Sequence, residues 1–482
     1  MKIRIASLSA ERVTALLFAA VIVFSIGRWL LIGGTMPLLW PISIATVSAA
    51  VLFIPFRSQL GPHFMRVGFY VGMFAFFLSY PILSPDEVNP NISSETHSIL
   101  GWALFLTVVG FELTYRLLAR LKDKRLPMAA IKISRPQRSW LLAFVFLGMA
   151  CWFFSVWDYA NALNAPFSSV LLTMRGVVEG SQPAGQNYLA IVLGAGIFLA
   201  ATAAALLLSS DGLPKRAAIF CWPVIVACAA VGFLGGSRAG FLYSFVPLAV
   251  VGWKKLSKLP FSFVVRALGA LCAFASVVVI WSAMSAMRGA DIRDYEGGID
   301  DISPVMYAQG ALDIYSMTAE VVDTFPAKIP YVQGESLLPL VFGLVPRPLW
   351  PDKPYPFGLY MNIVNGESLQ ARSASLAVGL TGEGYGNFGL FGACLWGAML
   401  GLGCRFGDRY LARFDDKSPM RSLLGLMAAV WVSMIVRGGV PEMFYMGLQV
   451  IALPLALAAF LSPRWHRISI SLRFSQSAHA QH

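Results

Sequence analysis

The chain has 482 residues, of which 57% are hydrophobic and 13% are charged, and its formal net charge is +12. Soluble proteins carry about a quarter charged residues, so the composition excludes an ordinary soluble protein and indicates a polytopic membrane protein. The positive charge does not predict a nucleic-acid partner, because the cations lie in short loops between apolar runs and no Lys/Arg tract with interleaved aromatic residues stands out.

The first apolar run, from Val13 to Ile32, follows a basic start that contains Lys2, Arg4 and Arg12. Secretory signal peptides share this pattern, but the run is too long for a typical signal peptide and no clear small-residue cleavage site follows it. We therefore interpret the run as a retained first membrane span.

About twelve apolar runs are predicted to be membrane-spanning helices, because backbone polar groups in lipid must be hydrogen-bonded within the segment. The predicted spans are roughly 13–32, 38–54, 67–83, 97–118, 140–157, 187–208, 217–234, 240–253, 262–284, 385–403, 422–436 and 444–462. Loops rich in Lys and Arg alternate with poorer ones, and the positive-inside rule assigns the rich set to the cytoplasm. Both termini, including a tail over 465–482, are therefore predicted to be cytoplasmic, and the chain, 1–482, is predicted to form one all-α transmembrane domain.

One predicted outer loop, 285–384, is far longer than a usual connection between helices. Within it, 303–324 has helical spacing and is predicted either to lie on the membrane surface or to pack over the bundle. The apolar run 337–345 is too short to span and suits a re-entrant or interfacial segment. The stretch 331–392 contains charged and aromatic residues among glycines and prolines. Such a polar interruption of a hydrophobic chain predicts a functional site.

Four arginines on the predicted outer face stand among glycines, prolines or small residues, and small neighbours let a backbone approach a ligand closely. They are Arg238, Arg347, Arg372 and Arg437. A guanidinium is permanently charged, and its fork of donors matches phosphate oxygens. The group therefore predicts a site for an anion such as a diphosphate. The alternative is that these arginines form structural ion pairs.

Several carboxylates on the same side are candidates for a general base, which must be ionised and within hydrogen-bond reach of a hydroxyl. They are Glu383, Glu442, Asp352, Asp313 and Glu335. Glu383 is favoured, because it lies between two glycines where the long loop returns to the membrane. The alternative is that Glu383 pairs with an arginine and holds the loop closed. Glu112, four residues before Arg116, is interpreted as half of a structural ion pair.

No Walker A loop, dinucleotide fingerprint or histidine cluster occurs in the sequence. No two carboxylates have the spacing that holds the metal of a nucleotide sugar, and the six cysteines show no zinc-type spacing. We therefore predict no metal and no other cofactor, and any chemistry is predicted to use a substrate that is already activated.

Three segments together resemble the oligosaccharide repeat-unit polymerases of bacteria, the O-antigen (Wzy-type) polymerases. They are Gly235-Gly-Ser-Arg-Ala-Gly240, Pro346-Arg-Pro-Leu-Trp-Pro-Asp-Lys-Pro354 and Gly382-Glu-Gly-Tyr-Gly-Asn-Phe-Gly-Leu-Phe-Gly392. The overall plan is also similar, with many spans, one long late outer loop and two or three spans after it. The motifs themselves are concentrated in 235–392.

This resemblance implies a membrane glycosyltransferase of GT-C-like architecture in the bacterial inner membrane, with its active site facing the periplasm. Such enzymes move a growing chain from one undecaprenyl diphosphate carrier to the non-reducing end of a repeat unit on another. The product is a surface polysaccharide such as an O-antigen, a capsule or an exopolysaccharide. The implied partners are the two lipid-linked oligosaccharides, a flippase and a chain-length regulator, without a metal or a nucleotide.

The resemblance also implies roles for individual residues. Arg238 and Arg347 are expected to bind the diphosphate, and we add Glu383 as the general base to complete the predicted catalytic set. The predicted substrate-binding residues are Arg372, Arg437, Lys353, Trp350, Tyr355, Tyr385 and Asn387. The aromatic residues would stack on sugars, although a membrane interface also favours them. Two alternatives remain: an O-antigen ligase, and a polysaccharide or lipid transporter.

Overall fold

The structure is a computed structural model of the chain. It describes residues 63–78, 92–118, 135–162, 195–210, 213–234, 238–256, 314–342, 345, 349–364, 377–415 and 418–461. Within these ranges the chain is helical and contains no β-strand. The all-α class predicted from the sequence is therefore confirmed for this part of the chain.

Twelve α-helices lie within the described ranges. They are α1 (Phe64–Met73), α2 (Ser94–Leu117), α3 (Arg135–Ala162), α4 (Gly196–Ser209), α5 (Lys215–Leu234), α6 (Arg238–Leu256), α7 (Ile314–Thr324), α8 (Leu338–Phe342), α9 (Phe357–Val364), α10 (Gly379–Leu411), α11 (Pro419–Gly438) and α12 (Val440–Leu461). A π-helical turn, Phe74–Leu78, continues α1, and a 3₁₀ turn, Glu335–Leu337, precedes α8.

Four segments of the described helices are long and apolar enough to cross a membrane, judged by length and composition. They are Ser94–Leu117, Pro136–Asp158, Gly379–Leu411 and Pro419–Gly438. Nine of the twelve predicted spans overlap a described helix, although 79–83 and 187–194 within two of them lie outside the described residues. The other three spans, 13–32, 38–54 and 262–284, lie wholly outside the described residues. Helices apolar enough to span are thus observed, whereas the full count of spans and the cytoplasmic termini stay predictions.

The chain divides into two compact units, each assembled from separate stretches of sequence. The first comprises Met1–Lys124, Gln309–Tyr410 and Ala428–Tyr445, and the second comprises Arg125–Ala308, Leu411–Met427 and Met446–His482. The first unit contains the glycine-rich motif of α10 and the part of the long loop that precedes it.

Helices α2 and α10 approach each other closely in the first unit, because glycines remove side chains at their contact. A Cβ atom at Gly397 would overlap the carbonyl oxygen of Thr107, and one at Gly401 would overlap the carbonyl oxygen of Phe111. Gly397 and Gly401 are one helical turn apart, which is the small-residue spacing that lets membrane helices pack backbone against backbone. Gly110 of α2 makes the same kind of contact with α10.

Helices α1 and α11 repeat this arrangement. A Cβ atom at Gly68 would overlap the carbonyl oxygen of Ala429, and one at Gly72 would lie 3.0 Å from the Cα atom of Ser433. The Ser433 hydroxyl donates to the carbonyl oxygen of Gly68 at 2.7 Å. Lipid provides no hydrophobic force between helices, so close packing and this interhelical hydrogen bond stabilise the pair instead.

The second unit has a comparable contact between α3 and α4. Gly148 and Gly196 face each other so closely that a Cβ atom on either would overlap the backbone of the other helix. Helix α4 is rich in alanine and buried along most of its length. By contrast, Phe146, Phe153 and Trp157 of α3 are exposed, as expected for a helix that faces lipid.

The described part of the predicted outer loop folds onto the first unit. Helix α7 buries Ala319 and Val321, and the Thr318 hydroxyl donates to the carbonyl oxygen of Val378 at 2.8 Å. Helix α7 therefore packs against the protein. Its position relative to the membrane surface stays a prediction, and 303–313 lies outside the described residues.

Helix α10 is broken near its start, although the sequence predicts a continuous span over 385–403. Phe388 has φ −145° and ψ 24°, and Gly389 has φ +63° and ψ −146°, so neither residue is helical. A Cβ atom at Gly392 would overlap the carbonyl oxygen of Gly384, whereas residues eight apart in a straight helix are about 12 Å apart. The first piece, 379–387, therefore folds back against the second, and Gly389 supplies the positive φ at the turn.

Candidate active site

Glu383 lies in the first piece of α10, and only 1% of its surface is exposed. Its Oε2 atom accepts a hydrogen bond from the backbone N–H of Val440 at 2.7 Å, and its Oε1 atom accepts one from the Ser336 hydroxyl at 3.3 Å. Val440 is the first residue of α12, where the N–H has no acceptor within its own helix. The positive end of the helix dipole at this position stabilises a negative charge on Glu383.

Gly439, between α11 and α12, makes this contact possible. Its φ is +89°, a conformation that glycine adopts at little cost. A Cβ atom at this position would also lie 2.6 Å from Oε2 of Glu383. Any larger residue would therefore both strain the turn and displace the carboxylate.

A segment that we call the strap, residues 331–336, crosses the end of the first piece of α10. The backbone N–H of Val332 donates to the carbonyl oxygen of Gly386 at 3.0 Å, and that of Gln333 donates to the carbonyl oxygen of Asn387 at 3.2 Å. Carbonyls in the last turn of a helix have no partner within it. Because α10 is broken here, these two carbonyls lack the N–H groups of a following helical turn, and the N–H groups of the strap take their place.

Asn387 joins the strap to the glutamate. Its side-chain nitrogen donates to the Ser336 hydroxyl oxygen at 2.8 Å and to the carbonyl oxygen of Glu383 at 2.7 Å. Its side-chain oxygen accepts from the backbone N–H of Gly334 at 2.8 Å. The sequence predicts that Asn387 binds substrate; the structure places it in an internal network, and a contact with substrate stays a prediction.

An aromatic pair lies beside the break. The rings of Tyr331 and Tyr385 are 6.1 Å apart and nearly perpendicular, which is a favourable geometry for two aromatic rings. The Tyr331 hydroxyl lies against Gly389, where a Cβ atom would be 2.8 Å from it. Tyr385, a predicted sugar-binding residue, is itself buried.

The four predicted anion-binding arginines are only partly described. Arg347 and Arg372 lie outside the described residues, and Arg238 begins α6 with a side chain that also lies outside them. Arg437 occupies the last turn of α11, two residues before Gly439. The end of α11 therefore brings the backbone of Arg437 close to Glu383, while the predicted convergence of all four arginines is untested.

The remaining predicted binding residues follow α8. The ring of Trp350 packs edge-on against Phe342 with centroids 5.6 Å apart. The Lys353 ammonium group donates to the carbonyl oxygen of Val345 at 3.0 Å, and Tyr355 is half-buried. These contacts involve the described residues between α8 and α9, 345 and 349–356.

A second buried polar region lies near the other end of α10, and it contains the predicted pair of Glu112 and Arg116. The two side chains are 2.6 Å apart. Arg66 of α1 adds two hydrogen bonds to the same carboxylate, from Nε at 2.8 Å and from Nη2 at 2.9 Å. The Tyr70 hydroxyl also donates to Glu112. The structural role predicted for Glu112 thus extends to a network of four side chains.

Asp408 is the second carboxylate of this region and caps the start of α1. It accepts hydrogen bonds from the backbone N–H groups of Met65 at 2.9 Å and Arg66 at 3.3 Å, and from the Tyr115 hydroxyl at 2.7 Å. Asp408 therefore accepts hydrogen bonds from N–H groups at the start of α1, which have no acceptor within the helix.

His63 completes the region from the residue before α1. Its Nδ1 atom is 2.9 Å from the Tyr115 oxygen, and it donates there because the Tyr115 hydrogen is directed at Asp408. Burial, followed by the charges of Arg66 and Arg405, lowers the pKa of His63 to about 4. His63 is therefore neutral at physiological pH.

The sequence indicated Glu383 and Glu112 as residues of interest. It did not indicate that Ser336 contacts Glu383 or that Arg66 contacts Glu112. Asp408, which accepts from the backbone of Arg66, was also not predicted. The Glu112–Arg116 spacing was visible because i, i+4 residues share a helix face. Asp408 and Met65 are 343 residues apart, and no local sequence pattern predicts a contact between residues so distant in the chain. Among the described residues, no group of three or more His, Cys, Asp and Glu side chains is arranged to hold a metal ion.

We compared the chain with known protein families, with curated proteins and with solved structures, and none of them matches it. The assignment of a function therefore depends on the sequence motifs and on the geometry around Glu383.

Proposed function

We propose that the protein is a membrane glycosyltransferase that polymerises lipid-diphosphate-linked oligosaccharides on the outer face of the membrane. The observation that carries the proposal is the folding of the motif 382–392. This motif forms a broken helix that holds one buried carboxylate, Glu383, against the start of α12. Irregular backbone at membrane depth is tolerated where it is buried in protein or lines a cavity, and broken helices of this kind commonly form binding sites.

In the proposed reaction, Glu383 takes the proton from a hydroxyl group of the acceptor sugar. The freed oxygen attacks the anomeric carbon of the donor sugar, and the bond between that carbon and the diphosphate oxygen breaks. The lipid diphosphate leaves with the bonding electrons, and Glu383 returns its proton to water. Arg347 and Arg238 would stabilise the charge that develops on the leaving diphosphate, since donors aimed at developing charge lower the barrier most.

The two oxygens of Glu383 have different parts in this reaction. Oε2 is held at 2.7 Å by Val440, while the contact of Oε1 with Ser336 is longer, at 3.3 Å. A general base must bring an oxygen within hydrogen-bond reach of the proton that it removes. Oε1 is therefore the oxygen that we assign to the acceptor hydroxyl, while Oε2 keeps the side chain in place.

The other predicted residues surround this chemistry. Arg372, Arg437 and Lys353 would share the binding of the diphosphate, and Trp350, Tyr355, Tyr385 and Asn387 would contact sugars. These roles follow from the resemblance to O-antigen polymerases and from residue type. In this proposal the reaction occurs at the periplasmic face of the bacterial inner membrane, with lipid-linked oligosaccharides as both donor and acceptor.

A transporter is the second candidate, and a specific observation favours it. Secondary transporters also use discontinuous helices to build their binding sites, and α10 is discontinuous at Phe388 and Gly389. A transporter would move single repeat units across a membrane without joining them. A ligase would use the same donor and differ in its acceptor, which is a lipid core.

The direct test uses purified protein and lipid-linked repeat units in detergent, without metal or nucleotide, with product length followed on a gel. A polymerase produces a ladder. We expect Glu383→Gln to reduce the rate by about 10²–10⁴, the usual contribution of a positioned general base. Glu335→Gln is the matched control, because Glu335 is an exposed carboxylate on the same strap, and it should keep wild-type activity.

The outcomes separate the candidates. Wild-type activity in both Glu383→Gln and Arg347→Ala would refute the assigned site while a ladder still supports the polymerase. Absence of a ladder, together with movement of single units across vesicles that contain the protein, would establish the transporter instead.

A further inference from the structure

We propose that Ser336 is a positioning residue for Glu383 and that Asn387 fixes the direction in which Ser336 donates. The inference rests on the proposed role of Glu383 as the general base. Ser336 belongs to no motif of the sequence, and its hydroxyl lies 3.3 Å from Oε1 of Glu383.

The Ser336 hydroxyl has one hydrogen to donate, and its neighbours determine where that hydrogen points. Asn387 donates from Nδ2 to the Ser336 oxygen at 2.8 Å, so this contact uses a lone pair of the hydroxyl. An ionised carboxylate only accepts. The hydrogen of Ser336 is therefore directed at Glu383, and the hydrogen bonds run in one direction from amide to hydroxyl to carboxylate.

The orientation of the Asn387 amide is itself determined by its surroundings. Its oxygen accepts from the N–H of Gly334 at 2.8 Å, and its nitrogen also donates to the backbone carbonyl of Glu383 at 2.7 Å. A flipped amide would direct its N–H₂ group at the Gly334 N–H and its oxygen at a carbonyl, and both contacts would be repulsive. Asn387 thus cannot accept from Ser336 without losing two hydrogen bonds.

Glu383 is consequently held at two points that come from different parts of the chain. Val440 fixes Oε2 from the start of α12, and Ser336 fixes Oε1 from the strap. The last torsion of a glutamate side chain has a broad, weakly defined preference, so the hydrogen bonds of its two oxygens contribute to its rotation angle. The second contact sets the plane of the carboxylate, and with it the direction in which Oε1 meets a substrate hydroxyl.

The kinetic test compares Ser336→Ala with Ser336→Thr in the polymerisation assay. Misplacement of a reacting group by about 1 Å costs up to about a hundredfold in rate. We expect Ser336→Ala to lower kcat by about tenfold to a hundredfold with KM nearly unchanged, and Ser336→Thr, which keeps the hydroxyl, to restore most of it. Ser98→Ala is the matched control, because it removes a hydroxyl whose hydrogen bond to the carbonyl oxygen of Ser94 within α2 is exposed, and it should keep the wild-type kcat. An unchanged kcat in Ser336→Ala, or a loss confined to KM, would overturn the proposal.

Hydrogen exchange at Val440 provides a test that does not depend on activity. The N–H of Val440 has no acceptor within α12, so its protection reports its bond with Glu383. We expect Ser336→Ala to accelerate exchange at Val440 by about tenfold, the change for roughly 1.4 kcal/mol. The N–H groups of Val332 and Gln333, which donate to backbone carbonyls, should keep their wild-type rates.

The relative exchange rates at Val440, Val332 and Gln333 show whether Ser336 positions Glu383. Equal acceleration at all three positions would show that the strap as a whole has loosened, and an unchanged rate at Val440 would show that Ser336 does not hold the carboxylate. Either result overturns the positioning role. A wild-type protein that forms no polymer would overturn the proposed function, and the exchange at Val440 would still decide whether Ser336 positions Glu383.

Discussion

The first unit buries carboxylates near both ends of α10, and the two regions hold them differently. Glu112 contacts two guanidinium groups and a tyrosine, and it pairs with Arg66 on two oxygens. The contacts of Glu383 with Ser336 and Val440 involve neutral donors. From Leu390 to Asp408 the second piece of α10 extends roughly 27 Å, so the regions are well separated.

The charged contacts of Glu112 are typical of a structural carboxylate, whereas the contacts of Glu383 with Ser336 and Val440 are compatible with our proposal that Glu383 takes part in a reaction. A buried ion pair whose partners are fully hydrogen-bonded is costly to break, because either charge alone is left unpaired in the protein. A carboxylate oxygen that accepts from a hydroxyl group can accept a second hydrogen bond from a substrate hydroxyl. Burial of a carboxylate therefore does not by itself indicate its function, and four measurements can sharpen or break the comparison.

The largest expected effect is on stability, in Glu112→Gln. Removal of the carboxylate charge leaves Arg66 buried, with 4% of its surface exposed, and loss of one partner of a buried pair costs about 3–5 kcal/mol. We expect the free energy of unfolding to fall by that amount, measured by reversible denaturation in mixed micelles. A loss below about 1 kcal/mol would show that the Glu112 region is not the stabilising one.

Asp408→Asn should have an intermediate effect. The substitution keeps one side-chain oxygen but removes the charge that accepts from two backbone N–H groups and Tyr115. Loss of a helix cap costs about 0.5–2 kcal/mol. The same denaturation experiment measures it, and Asp415→Asn, which changes an exposed carboxylate, is the control. A cost equal to that of Glu112→Gln would contradict the distinction between an ion pair and a cap.

Glu383→Gln should change stability least among the three carboxylates, although Glu383 is buried more deeply than Glu112. The glutamine oxygen can still accept from Val440, and its amide can donate to the Ser336 oxygen. We expect a loss of about 1 kcal/mol or less, typical of one neutral hydrogen bond, alongside the large loss of activity proposed above. A loss of 3 kcal/mol or more would place Glu383 with Glu112 as a structural residue.

The smallest effect is a pH dependence at His63. Its pKa is about 4 in the folded protein and 6.5 in its ordinary state, so the unfolded chain binds the proton more readily. The contribution of His63 to stability is therefore complete above about pH 6.5 and is lost as the pH falls towards 4. Arg66, Arg405 and Glu112 face this histidine.

The measurement compares unfolding midpoints of the wild type and His63→Gln between pH 7 and pH 4. Glutamine keeps an N–H donor for Tyr115 but does not titrate. The difference between the two proteins should shrink as the pH falls, since only the wild type is destabilised by protonation at this position. Parallel curves would show that His63 titrates normally.

The sequence predicted well those features that depend on local composition. Helix α11, Pro419–Gly438, was expected at 422–436, because an apolar run in lipid has to form a helix. The Glu112–Arg116 pair followed from the spacing of two residues on one helix. Such features need no knowledge of which helices become neighbours.

Features that depend on contacts distant in sequence were not predictable in this way. The sequence predicts a site in 331–392, but it does not predict that Gly384 and Gly392 contact each other and let α10 fold back. Ser336 is an ordinary serine in the sequence, and its importance arises only when the strap meets α10. The pairing of Arg66 with Glu112 depends on α1 and α2 meeting side by side.

The strap also sets a limit on access to the carboxylate. Five hydrogen bonds join the strap to α10. Val332, Gln333 and Gly334 donate from their N–H groups, the Ser336 hydroxyl donates to Glu383, and the Asn387 amide donates to the Ser336 oxygen. At about 1 kcal/mol each, their loss would cost about 5 kcal/mol, so roughly one molecule in five thousand would have the strap lifted at any moment. A ligand that required the lifted state would bind about five thousandfold more weakly than its contacts alone allow.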